Sequence, residues 1–257
     1  MLHMTSGPRR AHVVWRGLVL LMLLCPVALG ATDTPAQQLN LADSVKTSDH
    51  DHFKRILGEL GPEANSLPED ARWHLRYLQA WELVYRGDYT KATTQLELIA
   101  RDCPSRDLRF RVEVTLMNVD ALSLQYDSAF QRLVKLVAEV PEISSQQAQT
   151  QFYATAAILY NKVGEYDLAT SAADKLLTAD SSSDTLCKGR YFKLLAAYNS
   201  GQLSTSDPAI EVAQHTCAEA NESMLGNSLR ILLAKLDLSR GNPVSALAIL
   251  TPHYHEV

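Results

Sequence analysis

The chain has 257 residues, of which 46% are hydrophobic and 21% are charged, and its formal net charge is −5. These values indicate a globular protein of one or two domains with enough apolar residues for a sizeable core. Glycine and proline are too scarce for a collagen-like or low-complexity chain, and the acidic balance argues against a nucleic-acid partner, whose binding surface would normally be basic.

Residues 1–30 have the pattern of a Sec-type signal peptide. The twelve residues 17–28 are apolar or Gly/Pro, and no acidic residue precedes Asp33. A small-x-small triplet at 28–30 predicts cleavage near residue 30 or 31. The alternative, a retained transmembrane helix, needs about 20 apolar residues. The basic residues before the apolar segment are Arg9, Arg10 and Arg16.

Residues 31–46 are small and polar, and we expect a flexible tether there. From residue 47 to residue 257 apolar residues recur at helical spacing, without the alternation that strands show. The segment near 50–60 predicts one helix ahead of the repeats described next. The sequence therefore predicts an all-α domain over 47–257.

A short motif recurs along this domain. Gly-Asp-Tyr-x-x-Ala at 87–92 returns as Gly-Glu-Tyr-x-x-Ala at 164–169 and as Gly-Asn-Pro-x-x-Ala at 241–246. A degenerate copy without glycine occupies 124–129, and another turn begins at Gly201. The turns are spaced by 37, 40, 37 and 40 residues. Glycine ends a helix in the left-handed conformation, and alanine permits the close crossing of the next helix.

This unit resembles the tetratricopeptide repeat (TPR), a helix–turn–helix with small residues at its crossing points and a Gly-Asp-Tyr-like turn. The resemblance covers residues 71–257 and implies a TPR-like α-solenoid of about five helix–turn–helix units. In the first and third units the matching residues are Ala80, Gly87, Asp88, Tyr89, Ala92 and Pro104, and Ala157, Tyr160, Gly164, Tyr166 and Ala169.

In such a stack the first helix of each unit lines an inner groove. Aromatic, amide and cationic side chains there favour an extended peptide, a protein segment or a small polar ligand. The alternative is that many of these aromatic residues belong to the core. The candidate groove residues are Tyr77, Trp81, Tyr85, Arg111, Asn118, Asn161, Lys188, Tyr191 and Tyr198.

Three cysteines remain after the signal segment. Cys187 and Cys217 lie on the two arms of the fourth hairpin at heights that differ by about one helical turn. In an oxidising compartment they are candidates for a disulfide, and two separately buried thiols are the alternative. Cys103 is left over, either buried or paired with another chain.

No catalytic residue, metal site or cofactor motif is predicted. The histidine pairs at 50/52 and 253/255 have a spacing that places their side chains on different helix faces. Phosphate-binding, dinucleotide-binding and hydrolase motifs are absent from the sequence. An enzyme with an unfamiliar active site is the weakest alternative.

Four stretches, at 41–57, 73–92, 159–169 and 187–198, are similar to the exported N-terminal region of bacterial membrane-bound GGDEF diguanylate cyclases. The resemblance implies a periplasmic sensory module of cyclic-di-GMP signalling, tethered to the inner membrane and able to form a homodimer. Neither the GGDEF motif nor the membrane helix of those proteins is present in this sequence, so no cyclase residue is carried over to this chain.

The C-terminal sequence lacks the polar capping helix that a solenoid needs over its last apolar face. We therefore expect the natural protein to continue beyond Val257, with any membrane contact and cyclase activity in that later part. The alternative function is a stand-alone periplasmic TPR scaffold for the assembly of envelope or export complexes.

Overall fold

A computed structural model describes residues 33–251, where twelve α-helices alternate with short connections and no strand occurs. The predicted all-α class is confirmed. The predicted signal peptide and the histidine pair at 253/255 lie outside the described residues. The helices are α1 Pro35–Val45, α2 His50–Leu60, α3 Glu69–Tyr85, α4 Tyr89–Asp102, α5 Arg106–Leu122, α6 Tyr126–Glu139, α7 Gln146–Val163, α8 Tyr166–Ala179, α9 Ser183–Asn199, α10 Pro208–Glu219, α11 Ser223–Ser239 and α12 Pro243–Leu250.

The predicted turn positions all have a left-handed backbone, which ends one helix and starts the next. After the first of these positions, the Asp88 N–H donates to the carbonyl oxygen of Leu83 at 2.9 Å, which closes the helix end. The same bond recurs at the other four turns. The positions are Gly87 (φ 78°), Leu124 (61°), Gly164 (86°), Gly201 (75°) and Gly241 (79°).

The alanines of the repeated motif are buried where the second helix of each hairpin begins. Each is almost fully shielded from solvent, as a close helix crossing requires. The short side chain lets the two backbones approach, so the motif has the packing role that the sequence predicts. These residues are Ala92, Ala129, Ala169 and Ala246.

The N-terminal segment differs from the prediction, because residues 35–45 form helix α1 instead of a flexible tether. Leu39 and Ala42 are fully buried, and Asp43 is buried beside them. The spacing of Leu39 and Ala42 places them on one helix face, and that face packs on α2 and α3. Helices α1 and α2 therefore form an additional hairpin, here called the first hairpin.

The first helix of each hairpin makes two kinds of contact, one within its hairpin and one with the preceding hairpin. Each of the helices α3, α5, α7, α9 and α11 packs against its own hairpin partner and against the first helix of the preceding hairpin. The apolar core accordingly runs along the chain in three adjoining clusters. Along residues 33–251, none of the helices combines the length and apolar content needed to cross a bilayer.

The two helices of the fourth predicted hairpin are joined covalently. A disulfide connects Cys187 of α9 to Cys217 of α10, with an S–S distance of 2.09 Å and a Cα–Cα distance of 4.7 Å. This is the pair that the sequence predicts. Cys103 is a free, buried cysteine, and burial raises the pKa of its thiol.

Candidate functional site

The structure separates the predicted groove residues by burial. Tyr77, Arg111 and Asn161 are buried, whereas Tyr85 has 50% of its surface exposed. The other five are partly exposed: Trp81, Asn118, Lys188, Tyr191 and Tyr198. Tyr77 and Asn161 therefore do not line an open groove, whereas Arg111, although buried, borders a cavity that is described below.

Arg111 binds a carboxylate of its own chain. Its Nη1 and Nη2 atoms donate to Oδ2 and Oδ1 of Asp43 at 2.7 and 2.9 Å. His74 Nε2 lies 2.9 Å from the same Oδ2, and Lys46 forms an ion pair with Oδ1. Because Asp43 belongs to α1, these contacts hold the first hairpin against α3 and α5. We call this group the Asp43 cluster.

Amide and hydroxyl groups complete the shell around Arg111. Its Nε donates to Oε1 of Gln151 at 3.0 Å, and its guanidinium carbon lies 4.7 Å from the ring centroid of Tyr77. Gln151 Nε2 donates in turn to the Tyr77 hydroxyl and to Thr115 Oγ1, both at 3.0 Å. The cluster thus connects α1, α3, α5 and α7.

Burial by itself would raise the pKa of the Asp43 carboxyl. The charges of Lys46 and Arg111, together with hydrogen bonds from His74 and Arg111, outweigh burial and hold that pKa well below its usual range. Burial likewise disfavours the charged form of Arg111, but Tyr77 and Asp43 more than compensate, and its pKa is raised. Both groups are therefore charged at neutral pH.

The sequence alone does not identify Asp43, because the partners of this residue are distant along the chain. Arg111 lies 68 residues later, and no local motif connects the two positions. The available signal was an acidic residue next to apolar Leu39 and Ala42, on a segment whose composition otherwise indicated a tether. A long-range ion pair of this kind leaves no periodic pattern.

A row of aromatic side chains lies beside the Asp43 cluster and extends to the protein surface. Trp81 and Tyr85 are stacked with ring centroids 5.7 Å apart, and Tyr85 stacks on His50 of α2 at 3.8 Å. Phe53 meets Trp81 edge-on at 5.5 Å. Tyr85 thus contacts two other rings, and half of its surface stays accessible to solvent.

Tyr85 opens into a cleft of about 390 Å³ between the first hairpin and α11. One wall is aromatic, and the opposite wall carries hydroxyl, amide and thioether groups. We call it the Tyr85 cleft. Its lining residues are Thr47, Ser48, His50, Tyr85, Ser223, Met224, Asn227, Ser228 and Ile231.

The remaining predicted residues serve other contacts. Asn161 Nδ2 donates to the Ala157 carbonyl at 3.0 Å, and its Oδ1 accepts from Asn199 Nδ2 at 3.3 Å, which connects α7 to α9. Lys188 forms an ion pair with Asp184 at 2.6 Å. Tyr191 and Tyr198 pack on the C-terminal apolar cluster, and burial raises the pKa of Tyr191.

A second cavity, of about 450 Å³, lies on the far side of the Asp43 cluster. His74 and Arg111 belong to the Asp43 cluster and also line this cavity, so the cavity adjoins the cluster. Its walls mix acidic, basic and hydroxyl groups: Asp70, Trp73, His74, Ser105, Asp107, Leu108, Arg111 and Ser145.

Within residues 33–251, no group of three or more His, Cys, Asp or Glu side chains is arranged to hold a metal ion. The Tyr85 cleft offers stacking and hydrogen bonding, which suit the binding of an aromatic or polar ligand. Comparisons of the chain with protein-family models, with curated proteins and with solved structures found no match.

Proposed function

We propose that this chain is an exported, TPR-like interaction or sensory module that binds a protein segment, a peptide or a small polar ligand in the Tyr85 cleft. The observation that carries the proposal is the half-exposed Tyr85, stacked on His50 and set in a cleft of about 390 Å³. An accessible aromatic face next to hydroxyl and amide groups is a common arrangement for recognising such ligands.

The contacts between hairpins support the TPR-like solenoid within this proposal. Successive first helices contact one another from α1 to α11, as stacked repeats require. The left-handed turns and the buried motif alanines agree with the TPR resemblance. Helix α12 leaves Val244, Leu247 and Leu250 exposed, a surface on which a further element or a partner could pack.

Ligand binding is tested first in the purified chain. Amino acids, short peptides and sugars are screened by thermal shift, and each hit is titrated by calorimetry. We expect Tyr85→Ala to raise the dissociation constant about tenfold, since loss of an aromatic contact commonly lowers the binding free energy by about 1.4 kcal/mol. Leu98→Ala is the matched control, because Leu98 is similarly exposed on α4 and does not line the cleft. Equal affinities for wild type and Tyr85→Ala would contradict the assignment of the cleft.

The cellular role is tested by fractionation and immunoblotting with an antibody against residues 71–251. By the resemblance of the four stretches to GGDEF proteins, we expect a larger, membrane-bound product, and Tyr85→Ala in that product should change the cellular cyclic-di-GMP level. An exported product no larger than this chain and free of the membrane would overturn the input-region proposal and favour the scaffold alternative.

A further inference from the structure

The cavity of about 450 Å³ beside the Asp43 cluster lies where α3, α5 and α7 begin. Asp70 is the second residue of α3, and Ser105 and Ser145 are the N-cap residues of α5 and α7. A volume between about 300 and 1,000 Å³ is typical of small-molecule sites. We call this space the Arg111 cavity, after its buried charged residue. Its walls therefore come from three successive hairpins.

The Arg111 cavity is separate from the Tyr85 cleft. The two spaces share no lining residue. Trp73 borders the cavity and Tyr85 borders the cleft, and they lie twelve residues apart on α3, which is about 18 Å along the helix axis. A small molecule in one space is too short to contact both residues. A ligand of the Arg111 cavity is therefore additional to the function proposed for the cleft.

The inner end of the cavity is positively charged. Arg111, which is 5% exposed, lies there with His74, and both belong to the Asp43 cluster. Asp43 supplies one negative charge to that cluster, whereas Lys46 and Arg111 supply two positive charges. The cluster therefore keeps a net positive charge whatever the protonation state of His74. An anionic group in the cavity is attracted by this excess charge.

Two hydroxyl groups in the cavity wall retain hydrogens that they can donate. Ser105 Oγ accepts from the N–H of Leu108 at 3.3 Å. Ser145 Oγ accepts from the N–H of Ala148 at 3.2 Å. In both bonds the serine is the acceptor, so its own O–H is left for a further acceptor. Both serines also stand at the positive ends of helix dipoles, which adds to the attraction for a carboxylate.

The acidic residues of the cavity lie nearer to solvent. Asp70 is exposed and Asp107 is partly exposed. Asp107 Oδ2 accepts from the Ser144 hydroxyl at 2.9 Å. Within residues 33–251, neither carboxylate forms an ion pair with a basic side chain. Their negative charges are therefore available to a cationic group of a ligand.

The rest of the cavity surface is largely apolar. Trp73 and Leu108 both line the space. The guanidinium carbon of Arg76 lies 4.8 Å from the centre of the Trp73 ring, and this stacking restricts rotation of the indole. An ordered aromatic ring offers a stable surface for the aliphatic or aromatic part of a small molecule.

The geometry points to an amino acid zwitterion as the ligand of the Arg111 cavity. Its carboxylate faces Arg111 and accepts hydrogen bonds from the Ser105 and Ser145 hydroxyls. Its ammonium group lies toward Asp70 and Asp107, and its side chain packs on the apolar wall. The opposite charges at the inner and outer ends of the cavity match the two charged groups of such a molecule.

The class of ligand is tested by isothermal titration calorimetry on the purified chain at neutral pH. The probes are the proteinogenic L-amino acids, β-alanine and γ-aminobutyrate, followed by the amide and the N-acetyl derivative of the tightest binder. We expect each derivative to bind at least about tenfold more weakly than the zwitterion, because each lacks one charged group. The proposal is overturned if no probe binds with a dissociation constant below about 1 mM, or if the derivatives bind equally well.

Two substitutions at the start of α3 locate the binding site. Asp70→Asn removes an exposed carboxylate of the cavity and should raise the dissociation constant about tenfold. Glu69→Gln is the matched control, because Glu69 is exposed in the same helical turn and does not line the cavity. Both substitutions remove one negative charge near the helix N-terminus, so they should change thermal stability alike. Equal affinities in the two variants overturn the proposal.

Two aromatic substitutions distinguish the Arg111 cavity from the Tyr85 cleft. Trp73→Leu should raise the dissociation constant about tenfold by removing the aromatic wall, and unchanged affinity in this variant overturns the proposal. An amino acid that loses affinity in Tyr85→Ala but not in Asp70→Asn is bound in the Tyr85 cleft. That outcome overturns the present inference and supports the proposed function, so the two failures are distinguishable.

Discussion

At the scale of single residues, the informative position is Leu124, which has a backbone conformation that side chains disfavour. Its φ is 61°, and each of the other four predicted turn positions has glycine in the same conformation. An L-residue in the left-handed region is less stable by about 1 kcal/mol. The Leu124 side chain is 73% exposed, so it recovers little of this energy by packing.

We therefore expect Leu124→Gly to raise the free energy of unfolding, by up to about 1 kcal/mol, because relief of the backbone outweighs the added entropy of the unfolded chain. Gly87→Ala makes the opposite change, from glycine to a residue with a side chain, at an equivalent turn. It should lower the free energy of unfolding by a similar amount. Urea denaturation followed by circular dichroism measures both. A less stable Leu124→Gly variant would mean that the leucine side chain makes a stabilising contact.

At the scale of helices, α8 and α9 approach each other closely at Gly189. A Cβ atom there would lie 2.8 Å from Leu177 Cδ2 and 3.2 Å from the carbonyl oxygen of Ala173. The leucine side chain can rotate away, but the backbone oxygen cannot move without shifting α8. The short glycine therefore sets the distance between the two helices.

Substitution of two helical glycines separates packing from helix propensity. Gly189→Ala should destabilise the protein by about 1–3 kcal/mol through overpacking. Gly226→Ala, in α11, meets no atom within 4 Å and should instead stabilise it by about 1 kcal/mol, because alanine is the better helix former. Thermal unfolding of both variants gives the comparison. Equal effects would show that the α8–α9 contact adapts freely.

The elements that the sequence predicts are those with local causes. Gly87 ends α3 because glycine adopts the left-handed conformation easily. Ala92 lies five residues later, and its small side chain allows α4 to cross α3 closely. Helix α1 was missed because Asp43 is stabilised by residues that are distant in sequence. The ion pair between Asp43 and Arg111 is likewise invisible in the sequence. The sequence therefore assigns Arg111 to a ligand, whereas in the structure its guanidinium group binds Asp43.

At the scale of the whole molecule, apolar packing on α3 and several polar and aromatic contacts hold the first hairpin to the rest of the described chain. The Asp43 cluster anchors α1, the stacking of His50 on Tyr85 anchors the start of α2, and the Thr47–Glu222 bond attaches the turn between them. The Asp43 carboxylate meets three basic groups, so we expect this cluster to contribute most to the attachment of the first hairpin.

The anchoring contact is tested by changing its charges. Asp43→Asn leaves Arg111, which is 5% exposed, without its partner carboxylate and should lower the free energy of unfolding by about 3–5 kcal/mol. Amide hydrogen exchange should accelerate throughout α1. Because Asp43 has a lowered pKa in the folded state, its contribution is present above about pH 4 and is lost as the pH falls further. Asp43→Asn should therefore lose less stability than the wild-type protein when the pH is lowered into this range.

The double variant Asp43→Leu with Arg111→Met distinguishes a buried unpaired charge from a general loss of packing. Apolar side chains of similar size replace both members of the pair, so much of the stability lost in Asp43→Asn should return. Urea denaturation of the single and double variants gives this comparison directly. A double variant no more stable than Asp43→Asn would mean that the cluster acts through its wider hydrogen-bond network with Gln151 and Tyr77. In that case the polar side chains of α3, α5 and α7 require the guanidinium group of Arg111 as well as the carboxylate of Asp43.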